Sequence, residues 1–81
     1  MKLLWVDDTP AIIRLVVRFF KTFGWDVEVA ANGAKAMDIV RAAPDAFDVV
    51  VTDYQMPQVD GLQLIKWLRG IRPNIRAIMY T

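Results

Sequence analysis

The stretch VVVTDYQMPQVDG, residues 49–61, carries three consecutive valines and then, two residues on, the acid Asp53. A continuous apolar run is expected of a strand covered on both faces, as in parallel sheets flanked by helices. Pro57, Asp60 and Gly61 follow within eight positions of Asp53 and punctuate the chain before the next periodic segment. The stretch therefore reads as a buried strand, a carboxylate at its tip, a loop and the start of a helix.

Reading outward repeats the pattern. KLLWV (Lys2 to Val6) is a short apolar strand that ends at Asp7 and Asp8. In TPAIIRLVVRFFKTFG, Thr9 suits an N-cap, Pro10 the first helical position and Gly24 a helix stop. WDVEVA (Trp25 to Ala30) alternates and reads as a strand. NGAKAMDIVRAAP turns at Asn32-Gly33, then forms a helix with Ala36, Met37 and Val40 inward, ended by Pro44. FDVVVTD (Phe47 to Asp53) is the third strand. GLQLIKWLRGIRP is the third helix, with Leu64, Ile65, Leu68 and Ile71 on one face and Gly70 and Pro73 closing it. NIRAIMYT (Asn74 to Thr81) reads as a fourth strand. Strict alternation of strand and helix predicts an α/β fold, a doubly wound parallel sheet with right-handed crossovers.

Composition narrows the function. With 81 residues the chain is one small domain, near the size at which a single core barely suffices. Yet 56% of its residues are apolar, so either both sheet faces are covered or some apolar surface awaits a partner. A net charge of +1 gives no field directed at nucleic acid or an anionic membrane. Arg14, Arg18 and Lys21, and Arg69, Arg72 and Arg76, read as solvated faces, with a phosphate-binding stripe as the alternative. The absence of cysteine and histidine removes disulfides, thiolate chemistry, Ser-His and Cys-His pairs and imidazole metal sites. No run approaches the ~18 apolar residues of a membrane span. MKLLWVDD meets two acids too early for a secretion signal, so the expected compartment is the cytoplasm.

In open α/β sheets, ligands bind outside the C-terminal strand ends, where the strand order reverses. Asp7 and Asp8 end the first strand and Asp53 the third. If those strands are neighbours, three carboxylates share one crevice. Singly, each is an ordinary turn former or helix cap. Together they repel unless something positive intervenes. A hard divalent cation such as Mg²⁺ takes carboxylates, waters and phosphate oxygens, and no His or Cys points to zinc. The set suits Mg²⁺ and a phosphoryl group, with one carboxylate available as nucleophile.

WVDDTP, VVVTDYQMPQVDGLQLI and IRAIMYT together resemble the receiver domain of two-component response regulators, and the resemblance runs from the first strand to Thr81. It implies a flavodoxin-like sheet of order 2-1-3-4 and a signalling domain rather than an enzyme. It implies Asp53 as acceptor of a phosphoryl group from a sensor histidine kinase. It further implies Asp7, Asp8, Asp53 and the backbone carbonyl of Gln55 as Mg²⁺ ligands, and Thr81 as hydrogen-bond donor to a phosphoryl oxygen. Met56, Pro57 and Gly61 would shape the loop, and Asp60 reads as a helix cap rather than a ligand.

The chain departs from the family pattern after its fourth strand. The family's fourth helix, fifth strand and fifth helix are missing, and with them the phosphoryl-contacting lysine; Lys2, Lys21, Lys35 and Lys66 stand at other motif positions. Residues 1–81 are thus expected to be a partial receiver domain. On a wheel of 100° per residue the first helix is apolar over more than half its circumference. In the family this helix neighbours the fifth, so Ile13, Val17 and Phe20 are expected to be bare. The fourth strand is expected to be an open edge with apolar residues on both sides. These surfaces predict a homodimer or a complementing fragment docking through the fourth strand and first helix. A receiver-like assembly module that works without phosphorylation is the competing reading. An aspartyl phosphohydrolase would call for a D-x-D after the first strand, which VDDTP does not provide. Direct nucleic-acid binding is not expected.

Overall fold

A computed structural model describes residues 1–80. Four parallel strands, β1 (Lys2–Val6), β2 (Asp26–Ala30), β3 (Val49–Asp53) and β4 (Arg76–Tyr80), alternate with α1 (Pro10–Thr22), α2 (Gly33–Ala42) and α3 (Gly61–Ile71). The sheet order is β2-β1-β3-β4, with Val6 opposite Ala30 and Thr52, and Asp53 opposite Tyr80. The order reverses between β1 and β3, so the tips of these two strands flank the crevice. The expected α/β architecture and order 2-1-3-4 are both present; β1 has the expected bounds, and β2, β3 and β4 begin one or two residues later than the sequence suggests.

Period-two alternation divides each strand between two unlike faces. Leu4, Val6 and Val50 point to the side of α2 and α3, where Ala36, Val40, Phe47, Leu64, Leu68 and Ile75 complete the buried core. Leu3, Trp5, Val49, Val51 and Ile78 point to the other side, over which α1 runs. Phe20 of α1 packs on Trp5 and Trp25, with ring centroids 6.0 and 5.4 Å apart.

Three local expectations change. Ile13, Val17 and Phe20 are half-buried, Phe20 because the Trp5 and Trp25 rings meet it; the bare apolar residues of α1 are Ile12, Leu15 and Phe19, with Phe23 bare at its C-cap. Ile71 is exposed, and Trp67 takes its place beside the core, covered by the Arg41 guanidinium at 5.1 Å. Gly70 lies within α3 rather than closing it.

The helix ends differ in chemistry. Thr9 occupies the N-cap of α1 but makes no side-chain capping bond. The Asn32 carboxamide accepts from the Lys35 N–H at 2.8 Å, and Asp60 and Gln63 form a reciprocal capping box on α3. Gly24, at φ +74°, supplies the left-handed turn after α1. The arginines near the end of α3 are not an anion stripe. The Arg69 guanidinium donates to the Ile75 carbonyl, and that of Arg72 to the Pro44 and Phe47 carbonyls at 2.7 and 3.3 Å.

Candidate functional site

The parallel register places Asp7, Asp53 and Tyr80 in one row on the α1 side of the sheet, at the C-terminal strand ends. The pairs Val6–Thr52 and Asp53–Tyr80 fix that row. Valines at 49–51 need burial, and burial makes β3 stiff; the stiff strand then holds Asp53 at its tip. Asp8 follows Asp7 as the chain turns toward α1. One carboxylate oxygen from each of Asp7, Asp8 and Asp53 lies within 4.8 Å of the other two. Asp7 is only 2% exposed, Asp53 is half-buried and Asp8 faces solvent.

Backbone donors hold two of these side chains, those of Asp7 and Asp53. Asp7 Oδ1 accepts from the Thr9 N–H at 2.8 Å, and Asp53 Oδ1 from the Gln55 N–H at 3.2 Å. The loop after β3 is pressed against the strand it leaves. A Cβ on Gly61 would collide with the Asp53 carbonyl and come within 2.9 Å of Tyr54 Cα, so close backbone approach explains this glycine. Gln58 turns the loop at φ +68°, a conformation that costs a residue with a side chain. Asp60 is committed to capping α3 and stands outside the acidic cluster, as expected. Thr81 lies outside the described residues.

The cluster meets the requirements of a hard divalent cation. All three donors are carboxylate oxygens, and the chain has no His or Cys to favour a softer metal. Their spread is comparable with the ~4.2 Å between opposite corners of a magnesium shell, twice the metal–oxygen distance. Chemically, the site can hold a cation between Asp7 and Asp8 while presenting an Asp53 oxygen to an electrophile.

The sequence reading missed one pair of residues. The Tyr80 hydroxyl donates to Asp7 Oδ2, and the Trp5 Nε1–H donates to the same hydroxyl at 3.0 Å. The rings are 5.6 Å apart and reach toward one another across β3. Burial pushes the Tyr80 phenol well above the usual tyrosine range, and its bond to Asp7 raises it further, so it remains a donor. As strand residues, Trp5 and Tyr80 look like ordinary apolar filling. Only the order β1-β3-β4 with period-two facing brings both to Asp7.

Comparison with known proteins agrees with this geometry. The family model for the response regulator receiver domain matches residues 3–81. Sporulation initiation phosphotransferase F of Bacillus subtilis is 38% identical over 80 residues, which is 99% of this chain and 63% of that protein. Response regulator MprA of Mycobacterium tuberculosis is 33% identical over 81 residues, all of this chain and 34% of that protein. Among solved structures, a response regulator receiver domain protein from Clostridium thermocellum superposes with a TM-score of 0.92 at 26% identity, covering 96% of this chain and 62% of that one. The chemotaxis protein CheY4 of Vibrio cholerae gives 0.88 at 31%, covering 96% and 65%. The chain thus spans less than two thirds of each of these relatives.

Proposed function

The chain belongs to the response regulator receiver domain family, and on that premise we propose that it accepts a phosphoryl group on Asp53 from the phosphohistidine of a sensor histidine kinase, with Mg²⁺ as cofactor. The observation that carries this reading is the convergence of Asp7, Asp8 and Asp53 at the reversal point of the sheet. A carboxylate oxygen of Asp53 attacks phosphorus in line with the bond to the donor imidazole. The new O–P bond forms as the P–N bond breaks, and its electron pair leaves with the imidazole nitrogen. The product is an acyl phosphate that marks the domain and is not released, so the role is that of a switch rather than an enzyme.

Asp7 and Asp8, with Asp53 and the Gln55 backbone carbonyl, would hold Mg²⁺. The cation, when bound, supplies positive charge against the phosphoryl oxygens. Asp7 is held for this task by its buried position and by the Thr9 N–H. Thr81, next after Tyr80 in the chain, is assigned the hydroxyl that hydrogen-bonds a phosphoryl oxygen.

The test is direct. Incubation with Mg²⁺ and acetyl phosphate is expected to add one phosphoryl group by intact mass, and Asp53→Asn is expected to abolish it. No adduct, where an intact receiver is labelled in parallel, overturns the reading.

A second reading, an assembly module acting without phosphorylation, is favoured by the open side of the sheet. Among the described residues β4 pairs only with β3, Ile78 and Met79 of this edge are 56% and 42% exposed, and Phe19 of α1 and Phe23 at its C-cap are exposed. These surfaces support docking of a second copy or a complementing fragment on β4 and α1. Sedimentation is expected to show a dimer that Ile78→Lys dissociates. Assembly persisting in a chain that takes no phosphoryl group would favour this second reading.

A further inference from the structure

We propose that Tyr80 and Trp5 are positioning residues for the metal-holding carboxylate of Asp7, linked as a one-way hydrogen-bond relay that runs from indole to phenol to carboxylate. The inference rests on the reading of the acidic cluster as a cation site.

The direction of the relay follows from the chemistry of its members. An indole N–H can only donate, so the Tyr80 oxygen is the acceptor at 3.0 Å from Trp5 Nε1. An ionised carboxylate can only accept, so the single phenol hydrogen goes to Asp7 Oδ2. With the Thr9 N–H on Oδ1, both oxygens of Asp7 are held and the carboxylate plane cannot turn. Each oxygen keeps a second lone-pair direction, which leaves Asp7 able to bind a cation.

Packing makes the relay stiff. The Trp5 ring is wedged between Phe20 of α1 and Tyr80, at 6.0 and 5.6 Å between centroids. Tyr80 sits opposite Asp53 in the sheet register, so its phenol crosses the row of acids and not open solvent. A ligating carboxylate whose outer partner is removed commonly loses about 10- to 100-fold in metal affinity.

The experiment measures Mg²⁺ binding by titration calorimetry on the unphosphorylated chain, with the indole N–H resonances followed by NMR. Tyr80→Phe keeps the ring and deletes the hydroxyl; it is expected to weaken Mg²⁺ binding by about tenfold or more. Trp5→Phe, which frees the phenol to rotate, is expected to weaken it by a smaller factor, about threefold. Val51→Ala, a packing loss on the same sheet face that leaves the relay intact, is expected to change binding less than about twofold. In Tyr80→Phe without Mg²⁺, the Trp5 indole N–H resonance is expected to shift and to exchange faster with solvent. Equal or tighter Mg²⁺ binding in Tyr80→Phe overturns the inference, as does an unmoved Trp5 indole signal. Failure of the unaltered chain to bind Mg²⁺ overturns the cation site itself, and the inference with it.

Discussion

The two sides of the sheet use the same kinds of residue to different ends. On the side of α2 and α3, Leu4, Val6, Val50, Leu64 and Leu68 are fully enclosed, and both helices begin with side-chain caps. On the side of α1, one helix without a side-chain cap covers β1, while an open cleft of about 830 Å³ lies along Leu3, Val49, Val51 and Ile78. The closed side holds the strands in register; the open side carries the row of Asp7, Asp53 and Tyr80. The difference teaches that the closed face fixes the strands that carry the acids, while the side chain of Asp7 is fixed by partners on its own, open face.

Deleting packing on each side is the strongest way to break this contrast. Leu64→Ala is expected to cost about 3–5 kcal/mol, because a fully buried leucine leaves a cavity. Ile78→Ala is expected to cost less than about 1 kcal/mol, since most of that side chain already meets water. Equal losses in urea denaturation would mean that the open side is closed in solution.

The caps extend the contrast at smaller scale. Asp60→Ala removes one half of the capping box on α3 and is expected to cost about 1–2 kcal/mol. Asn32→Ala is expected to cost about 1 kcal/mol. Thermal melts of these two variants, compared with Leu64→Ala, rank the contributions to the closed side.

Gln58→Gly sharpens the picture at the junction of the two sides. The left-handed backbone at φ +68° is released from its side-chain penalty, less the entropy that glycine adds to the unfolded chain. The expected gain is about 0.5 kcal/mol, read as a raised denaturation midpoint with unchanged slope. The smallest effect is reserved for Thr9→Ala. With no side-chain capping bond to lose, it is expected to stay within about 0.5 kcal/mol of the unaltered chain. A loss as large as that of Asn32→Ala would show that Thr9 caps α1 in solution.

Much of this arrangement was legible beforehand. Val49 to Val51 announced a strand buried on both faces, and Thr9-Pro10, Asn32-Gly33 and Asp60-Gly61 marked the three helix starts to within a residue. These signals are local: each depends on the conformational preference of a few adjacent residues. Errors arose where distant side chains decide burial. Ile71 continues the apolar spacing of α3 yet points past the edge of the core, and Phe20 is sheltered by Trp5 and Trp25 from other elements.

The candidate site divides along the same line. That Asp7, Asp8 and Asp53 end strands could be read from composition and spacing, because a carboxylate after an apolar run belongs at the strand tip, where hydrogen-bond donors or water can meet it. Their mutual distance could not, since it depends on which strand lies beside β1, and neighbouring in a parallel sheet is set by crossovers over many residues. The same holds for Tyr80 and Trp5, 75 residues apart in sequence and hydrogen-bonded in the fold. Residue order alone settled the α/β alternation, the helix starts and the acids at the strand tips, for these follow from short-range sterics and periodicity. Only tertiary packing settled who meets Asp7, because a contact across three strands has no trace in the preferences of either partner.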